Sequence, residues 1–179
     1  MEIMLDIETL GVRPNCCILI IAAIKFNRQK KLGNLPDTDS FYRRIDITSC
    51  KNIGMSIDSS TVEWWDTQPD NIRYEALESD GRISIQQALL EFDEWIGNNP
   101  NTLVWGNGDD FDCTILGEAY TLCGMEIPWK FWNTRDLRTL YDIAQVKKKD
   151  LPKNNKEHHA LYDCYYQIKG LHKAFMLLK

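Results

Sequence analysis

The sequence predicts an α/β fold in which helices flank a mixed five-stranded sheet. Two observations predict this class. Three strand-like segments with short connections come first, which indicates an antiparallel meander. Strands and helices then alternate along the rest of the chain, which is typical of parallel strands. A chain of 179 residues can bury a sizeable core, so we expect residues 1–179 to form a single domain.

The expected meander consists of the segments MEIMLDIE (1–8), CCILIIAAIKF (16–26) and SFYRRIDI (40–47). The second segment is a continuous apolar run, as in a central strand that is buried on both faces. In the first segment Asp6 and Glu8 are two residues apart, so in a strand they point to the same face. Two carboxylates on one face repel each other unless a cation lies between them. The alternative is that the strand ends at Leu5 and leaves both acids in a solvated turn.

Helix signals begin in the segment IDSSTVEWWDTQ, where Ser60 precedes Glu63 by three residues. Pro69 ends this helix or starts the next one, and SIQQALLEFDEWIG has apolar residues at helical spacing. The remaining elements are a strand at 102–106, a helix from DFDC to Gly124, a strand that becomes a helix near Thr134, a basic loop at about 145–156 and a last helix from about 156 to 178. This order matches the ribonuclease H-like fold, which by itself supports many functions.

The charge balance argues against a simple nucleic-acid-binding protein. The formal net charge is −5, whereas such proteins normally present a basic surface. The objection weakens if several carboxylates hold divalent cations. No apolar run approaches the ~20 residues of a membrane span, and the first residues do not resemble a signal peptide. Six cysteines without a CxxC pair favour reduced thiols, so we expect a cytoplasmic protein.

Acidic residues recur where the expected strands and helices end. Asp109, Asp110 and Asp112 begin a helix, where the helix dipole favours acids and explains one or two of them. Asp163 lies near the core-facing side of the last helix, and taken alone it is a satisfied core carboxylate. Together, hard oxygen ligands from separate elements suit Mg²⁺ or Mn²⁺, and such a set can hold two cations about 3.5–4 Å apart for in-line displacement at phosphorus. The set consists of Asp6, Glu8, Asp112 and Asp163.

The segments LDIETLG, WGNGDDFDCTIL and HHALYDC resemble the three motifs of the DEDDh branch of the DEDD 3′–5′ exonuclease superfamily. With STVEWWDTQP and FWNTRDLRTLYD, the chain is most similar to the phage and bacterial group around phage T4 DexA and a mycobacterial exoribonuclease. The resemblance implies hydrolysis of single-stranded DNA or RNA from a free 3′ end, with release of nucleoside 5′-monophosphates. It also implies two divalent cations, Mg²⁺ or Mn²⁺, and a possible homodimer. Alternatives are a catalytically silent nucleic-acid-binding module and an oligoribonuclease-like hydrolase of very short strands.

The same resemblance implies a role for each site residue. Asp6 bridges both cations, Glu8 binds the one that holds the attacking water, and Asp112 and Asp163 complete the set. The choice of Asp112 rests on the aromatic–acid pair that it forms with Phe111, and Asp110 stays an alternative. Thr9 and Leu10 correspond to positions that pack against the terminal nucleotide. His158 corresponds to the general base, which takes a proton from the attacking water.

Helix geometry alone favours the other histidine. His159 precedes Asp163 by four residues and would share its face of a helix, whereas His158 is about 140° away. Asn154 and Glu157 also suggest a capping box that would place both histidines inside the helix. The resemblance instead selects His158 and implies that it lies on a loop or on the first turn of the helix.

Three features are candidates for substrate binding. Trp64 and Trp65 are adjacent on an expected helix, so we expect one to pack on the sheet and the other, taken as Trp64, to stack on a base. The alternative is that both are core or interface residues. Arg135 and Arg138, at i and i+3, are candidates to hold phosphate from one helix face; pairing with acids is the alternative. The basic loop from Lys147 to Lys156 borders the acidic site and can steer a phosphodiester inward, or it is simply solvated.

Overall fold

The computed structural model describes residues 1–154 and 156–179, and it contains a five-stranded sheet in the order β3-β2-β1-β4-β5. Pairing is antiparallel between β1 and β2 and between β2 and β3, and parallel between β1 and β4 and between β4 and β5. The fold class and the mixed sheet are therefore confirmed. Asn155, within the expected basic loop, lies outside the described residues. The strands are β1 Glu2–Thr9, β2 Ile18–Phe26, β3 Ser40–Arg44, β4 Leu103–Gly106 and β5 Thr134–Asp136.

Helices cover the sheet, and α7 packs against β1 and β2 while α5 packs against β4 and β5. The buried core lies between these layers and includes the fully buried rings of Trp65, Phe92 and Tyr120. None of the described helices is long and apolar enough to cross a membrane. The helices are α1 Ile47–Asn52, α2 Ser59–Asp66, α3 Asp70–Leu77, α4 Ile85–Ile96, α5 Asp109–Leu122, α6 Leu137–Ile143 and α7 Ala160–Leu177.

Side-chain caps explain where several predicted boundaries were wrong. The third strand ends at Arg44 rather than at residue 47, because the Asp46 carboxylate accepts hydrogen bonds from the first backbone N–H groups of α1. The strand-to-helix change falls after Asp136 rather than near Thr134, because Asp136 caps α6 in the same way. Pro69 was predicted to end one helix or to start the next, and it does the latter, since it lies at the N-cap of α3.

The start of α7 differs most from the helix pattern. The helix begins at Ala160 rather than near residue 156, so the expected capping box does not form. The Asn154 side chain is used otherwise: its oxygen accepts from the backbone N–H of Lys156 and its amide donates to Asp163 at 2.6 Å. His158 has a positive φ of 65°, a conformation that breaks a right-handed helix. Both histidines therefore precede the helix, as the family resemblance implied for His158.

Candidate active site

The first strand carries two carboxylates on one face. Because β1 pairs with β2 through Thr9, the alternative of a strand that ends at Leu5 is wrong. Asp6 and Glu8 both point toward the start of α7, which supplies Asp163. One carboxylate oxygen from each of these three residues lies within 4.8 Å of the others. Residues 157 positions apart in the chain thus form one acidic cluster.

The fourth acid occupies the place where β4 leaves the sheet. The β1–β4 ladder ends at Met4 and Trp105, and beyond it the backbone N–H of Ile7 donates to Asp112 Oδ1 at 3.2 Å. The Asp112 side chain thereby satisfies a strand N–H group that would otherwise be unpaired. Asp112 is 5% exposed, whereas Asp110 on the same first turn of α5 is exposed. Burial and this hydrogen bond favour Asp112 over Asp110 as the site acid.

Glycines at 106 and 108 allow the chain to turn tightly at this point. A Cβ at Gly106 would lie 2.9 Å from Asp109 Cα and 3.1 Å from Asp112 Oδ2. Gly108 has a φ of 105°, which glycine adopts without strain, and it lies at the N-terminus of α5. These positions place the helix directly after the strand and bring Asp112 back under β1.

Burial and mutual repulsion disfavour the ionised form of these carboxylates when no positive charge is nearby. Burial raises the pKa of Asp6 well above its usual range, and the charges of Asp112, Glu8 and Asp163 raise it further. Burial and the same repulsion raise the pKa of Glu8. Burial also raises the pKa of Asp112 to about 7 and that of Asp163 to about 6. A bound cation would remove this cost, since it favours the ionised carboxylates.

The donor set fits a hard divalent cation. All of the candidate ligand atoms are carboxylate oxygens, and neither a cysteine nor a histidine belongs to the cluster among the described residues. Oxygen-only sets suit Mg²⁺, Mn²⁺ or Ca²⁺ rather than zinc or copper.

Two neutral side chains orient these acids, and the sequence predictions missed both. Gln167 Nε2 donates to Asp6 Oδ1 at 2.7 Å, and Asn154 Nδ2 donates to Asp163 Oδ1 at 2.6 Å. Gln167 follows Asp163 by four residues and therefore shares its face of α7, a spacing that could have identified it. No such spacing could have identified Asn154, because it lies in a loop and not in a helix or strand.

The two histidines have different surroundings. His159 is half-buried, stacks on Tyr42 with ring centroids 5.4 Å apart, and burial lowers its pKa. His158 is exposed, lies beside Asp163 in the wall of the same cleft, and contacts Trp64 edge-on at 5.0 Å. His159 is thus held by the protein, whereas the His158 ring faces the cleft.

A cleft of about 550 Å³ opens over Asp163. Lys148 and Lys153 from the basic loop lie in its wall, so this loop borders the acids as expected. Asn107 and Tyr166 also line the cleft, and the sequence predictions did not include them. The cleft thus brings Asp163, one acid of the cluster, together with two lysines and with the acidic Glu157. A phosphodiester in this cleft would lie beside the edge of the acidic cluster.

The tryptophan pair divides as predicted. Trp65 is buried, and its indole N–H donates to the Thr9 carbonyl at 2.9 Å, whereas Trp64 is 39% exposed. Thr9 and Leu10 are themselves buried, and the Thr9 hydroxyl donates to the Gly11 carbonyl at 2.7 Å. Contact between these side chains and a nucleotide remains a prediction.

The two arginines do not share a helix face, contrary to the prediction, because Arg135 lies in β5 and Arg138 in α6. The Arg135 guanidinium donates to the backbone carbonyls of Trp132 and Thr134. The Arg138 guanidinium lies over Gly108, and its positive charge offsets part of the increase that burial causes in the pKa of Asp112. Only Arg138 is therefore near the acids.

Proteins of known activity are similar to this chain in sequence or in fold. The exodeoxyribonuclease of Enterobacteria phage T4 is 24% identical over 195 residues, covering 93% of this chain and 86% of that protein. The nuclease domain of 3′hExo, a DEDDh family member bound to rAMP, superposes with a TM-score of 0.63 at 12% identity, covering 98% of this chain and 91% of that one. E. coli exonuclease I in complex with single-stranded DNA gives a TM-score of 0.62 at 16% identity, with 94% of this chain and 38% of that one covered.

The family match and the relatives define the class of protein: this is a 3′–5′ exonuclease, and it has the fold of the DEDDh nuclease 3′hExo. The divalent-metal dependence that the DEDDh group implies agrees with the acidic cluster. The chain belongs to the 3′–5′ exoribonuclease Rv2179c-like domain family, whose sequence model matches residues 1–175. It spans only 38% of the length of the exonuclease I chain, so the likeness to that protein concerns the fold.

Proposed function

We propose that this exonuclease hydrolyses single-stranded DNA or RNA from a free 3′ end and releases nucleoside 5′-monophosphates. The observation that carries the proposal is the cluster of Asp6, Glu8 and Asp163, whose oxygens lie within 4.8 Å of one another. Asp112 completes it from the neighbouring helix. We include residues 1–179 in one exonuclease domain, place the protein in the cytoplasm, and retain the homodimer as a prediction.

Two divalent cations, Mg²⁺ or Mn²⁺, would be held by the four acids and would supply positive charge at the scissile phosphate and a more acidic attacking water. The protein contributes the positions of these acids. Gln167 and Asn154 fix two of the carboxylates through neutral N–H donors, which add no charge that would compete with a cation.

His158 is proposed as the general base. Its exposed ring lies in the wall of the cleft beside Asp163, from which it can accept the proton of the attacking water. The edge-on contact with Trp64 limits the directions in which the ring can turn. The half-buried His159, stacked on Tyr42, is less suited to this role.

Binding of the terminal nucleotides is proposed to use the cleft above the acids. Lys148 and Lys153 supply cations for the phosphates, and the exposed face of Trp64 offers a stacking platform for a base. Arg138 lies near Asp112 and is proposed as a further phosphate contact. Arg135 is retained as a weaker candidate because its guanidinium already donates to two carbonyls.

The decisive experiment compares 5′-labelled and 3′-labelled single strands of DNA and RNA with Mn²⁺. A 3′–5′ exonuclease releases the 3′ label first, as a mononucleotide, and shortens the 5′-labelled strand stepwise. Asp6→Asn and Asp163→Asn should lower kcat by more than about a hundredfold, since ligand loss should exceed the 10–100-fold effect of an outer partner. Asp110→Asn is the matched control, because that exposed acid lies outside the cluster.

Several outcomes would reject or refine the proposal. Full activity in Asp6→Asn or Asp163→Asn contradicts the assigned site. Loss in Asp110→Asn with retention in Asp112→Asn would reverse the choice between these acids. Hydrolysis of a dinucleotide but not of a 20-mer would identify an oligoribonuclease-like enzyme, and binding without hydrolysis would identify a silent module.

A further inference from the structure

A second cleft, of about 620 Å³, lies at the other end of α7 from Asp163 and takes no part in the chemistry described above. We call it the basic cleft, and it is defined by Arg28, Lys30, Lys31, His172, Phe175 and Lys179. None of the residues that line it is acidic. A cavity that collects cations in a protein of net charge −5 indicates an anionic ligand.

The two segments of the chain that form this cleft contain basic residues and lack acidic ones. Residues 28–34 and 164–179 contain six lysines and arginines and no aspartate or glutamate. Arg28 is neutralised by Glu2, to which it donates at 2.5 Å. In the described part of the chain, Lys30, Lys31 and Lys179 form no ion pair. The dipole of α7 favours a cation near its C-terminus and so accounts for Lys179, but Lys30 and Lys31 belong to a different segment.

One helix links the basic cleft to the active-site cleft. Tyr166 lines the active-site cleft and His172 lines the basic cleft. Between them, Lys169 Nζ lies 5.2 and 5.1 Å from the ring centroids of Tyr165 and Tyr166. From Asp163 to Phe175 the helix rises about 18 Å. Asp163 and His172 are nine residues apart, about half a turn around the helix, so the path between the two clefts is longer than this rise. A stacked strand advances 3.4 Å per nucleotide, so the path takes at least about five nucleotides.

We propose that the basic cleft binds the phosphodiester backbone of a polynucleotide whose 3′ end lies in the active site. The proposal rests on the proposed function, since it requires the 3′ end to be held at the acids. Lys30 and Lys31 neutralise phosphates several nucleotides upstream, and the aromatic–lysine surface of α7 lies along the route. The cleft therefore adds affinity for long strands only, because strands of three nucleotides cannot reach it.

The test measures binding with Ca²⁺ in place of Mg²⁺ or Mn²⁺, by fluorescence anisotropy of a 5′-labelled 24-mer and a 5′-labelled 3-mer, and a gel verifies that both strands stay intact. In the double variant Lys30→Gln with Lys31→Gln, the Kd of the 24-mer should rise about tenfold, and the Kd of the 3-mer should not change. Loss of two contacts should reduce the slope of log affinity against log salt by about 1.4. The control Lys51→Gln with Lys130→Gln removes two exposed lysines elsewhere and should leave both values unchanged.

Other results would overturn the proposal. Unchanged 24-mer binding in the Lys30/Lys31 variant, equal losses in both variants, or a wild-type protein that binds no 24-mer each contradict it. A changed sedimentation coefficient with unchanged 24-mer affinity would assign the surface to a second copy of the chain. The two proposals can fail separately. Tight 24-mer binding through Lys30 and Lys31 without hydrolysis would reject the exonuclease mechanism and support the basic cleft. Hydrolysis that depends neither on strand length nor on these lysines would support the mechanism and reject the basic cleft.

Discussion

The amide of Gln167 on α7 donates to the carboxylate of Asp6 on β1 at 2.7 Å. The same side chain buries its oxygen without a partner among the described residues. The bond joins the helix that carries Asp163 to the strand that carries Asp6 and Glu8. It therefore holds the Asp6 carboxylate in place and helps to position α7 relative to β1, so that the acids of the two elements lie close together.

Replacement of Gln167 by methionine should weaken the site without unfolding it. The variant keeps the approximate volume and loses the donor to Asp6, and the loss of such an outer partner typically reduces metal affinity or activity 10–100-fold. Isothermal titration with Mn²⁺ provides a readout that is independent of turnover. Gln87→Met, on the exposed face of α4, is the control. Unchanged Mn²⁺ affinity in Gln167→Met would show that Asp6 is positioned without this bond.

The metal-free protein should lose stability as the pH rises. Asp112 and Asp163 have pKa values of about 7 and about 6 in the folded protein, against an ordinary value of 3.8. The folded state therefore binds more protons than the unfolded state, and its stabilisation is complete below about pH 4 and lost by about pH 7. Thermal melts in EDTA should show a falling Tm over this range. Excess Mn²⁺ should flatten or reverse the trend, and Asp112→Asn should reduce it; a Tm in EDTA that rises from pH 4 to pH 7 would contradict the burial argument.

The two histidines should separate rate from stability. His158→Asn should lower kcat by about 10²–10⁴-fold, the usual contribution of a general base, and should preserve the fold because asparagine tolerates the positive φ at this position. His159→Ala should instead lower the Tm, since it removes the ring stacked on Tyr42, and should retain most of kcat. Single-turnover rates and thermal melts distinguish the two effects. A larger loss of kcat in His159→Ala would reverse the assignment.

The adjacent tryptophans should show the opposite pair of phenotypes. Trp64→Ala should weaken single-strand binding by about 1–3 kcal/mol, the contribution of a stacked base, with little change in stability. Trp65→Ala should cost about 3–5 kcal/mol of stability, because it empties a buried site and removes a hydrogen bond to Thr9. Anisotropy and urea unfolding measure these quantities. Equal binding by wild type and Trp64→Ala would exclude Trp64 from the substrate path.

Gly106 should tolerate no side chain. A Cβ there would meet Asp109 Cα at 2.9 Å, so alanine should displace the start of α5 and with it Asp112, at a cost of about 1–3 kcal/mol. Mn²⁺ affinity should fall together with stability. Gly33→Ala is the matched control, since its Cβ would have 3.9 Å of clearance. A Gly106→Ala variant with unchanged stability and unchanged Mn²⁺ affinity would mean that α5 can shift without moving the acid.

The sequence predicted the sheet and the acids because both leave local signals. Apolar runs predict strands, and carboxylates in apolar surroundings are conspicuous because burial penalises their charge. Boundaries set by side-chain caps were less predictable: Asp46 and Asp136 each end a strand by starting a helix. Helix spacing favoured His159 because it assumed that both histidines lie inside the last helix. The positive φ of His158 interrupts a helix at that residue, so the spacing does not apply. Asn154 left no regular pattern, since its partner lies nine residues away.

The acids of the site lie at both ends of the chain, from Asp6 to Asp163. No partly synthesised or partly folded chain that lacks α7 can contain the complete set. The complete set of acids therefore forms only after α7 has been synthesised and has packed on β1. In a refolding experiment, the onset of Mn²⁺ binding should consequently report the docking of the last helix rather than the earlier formation of the sheet.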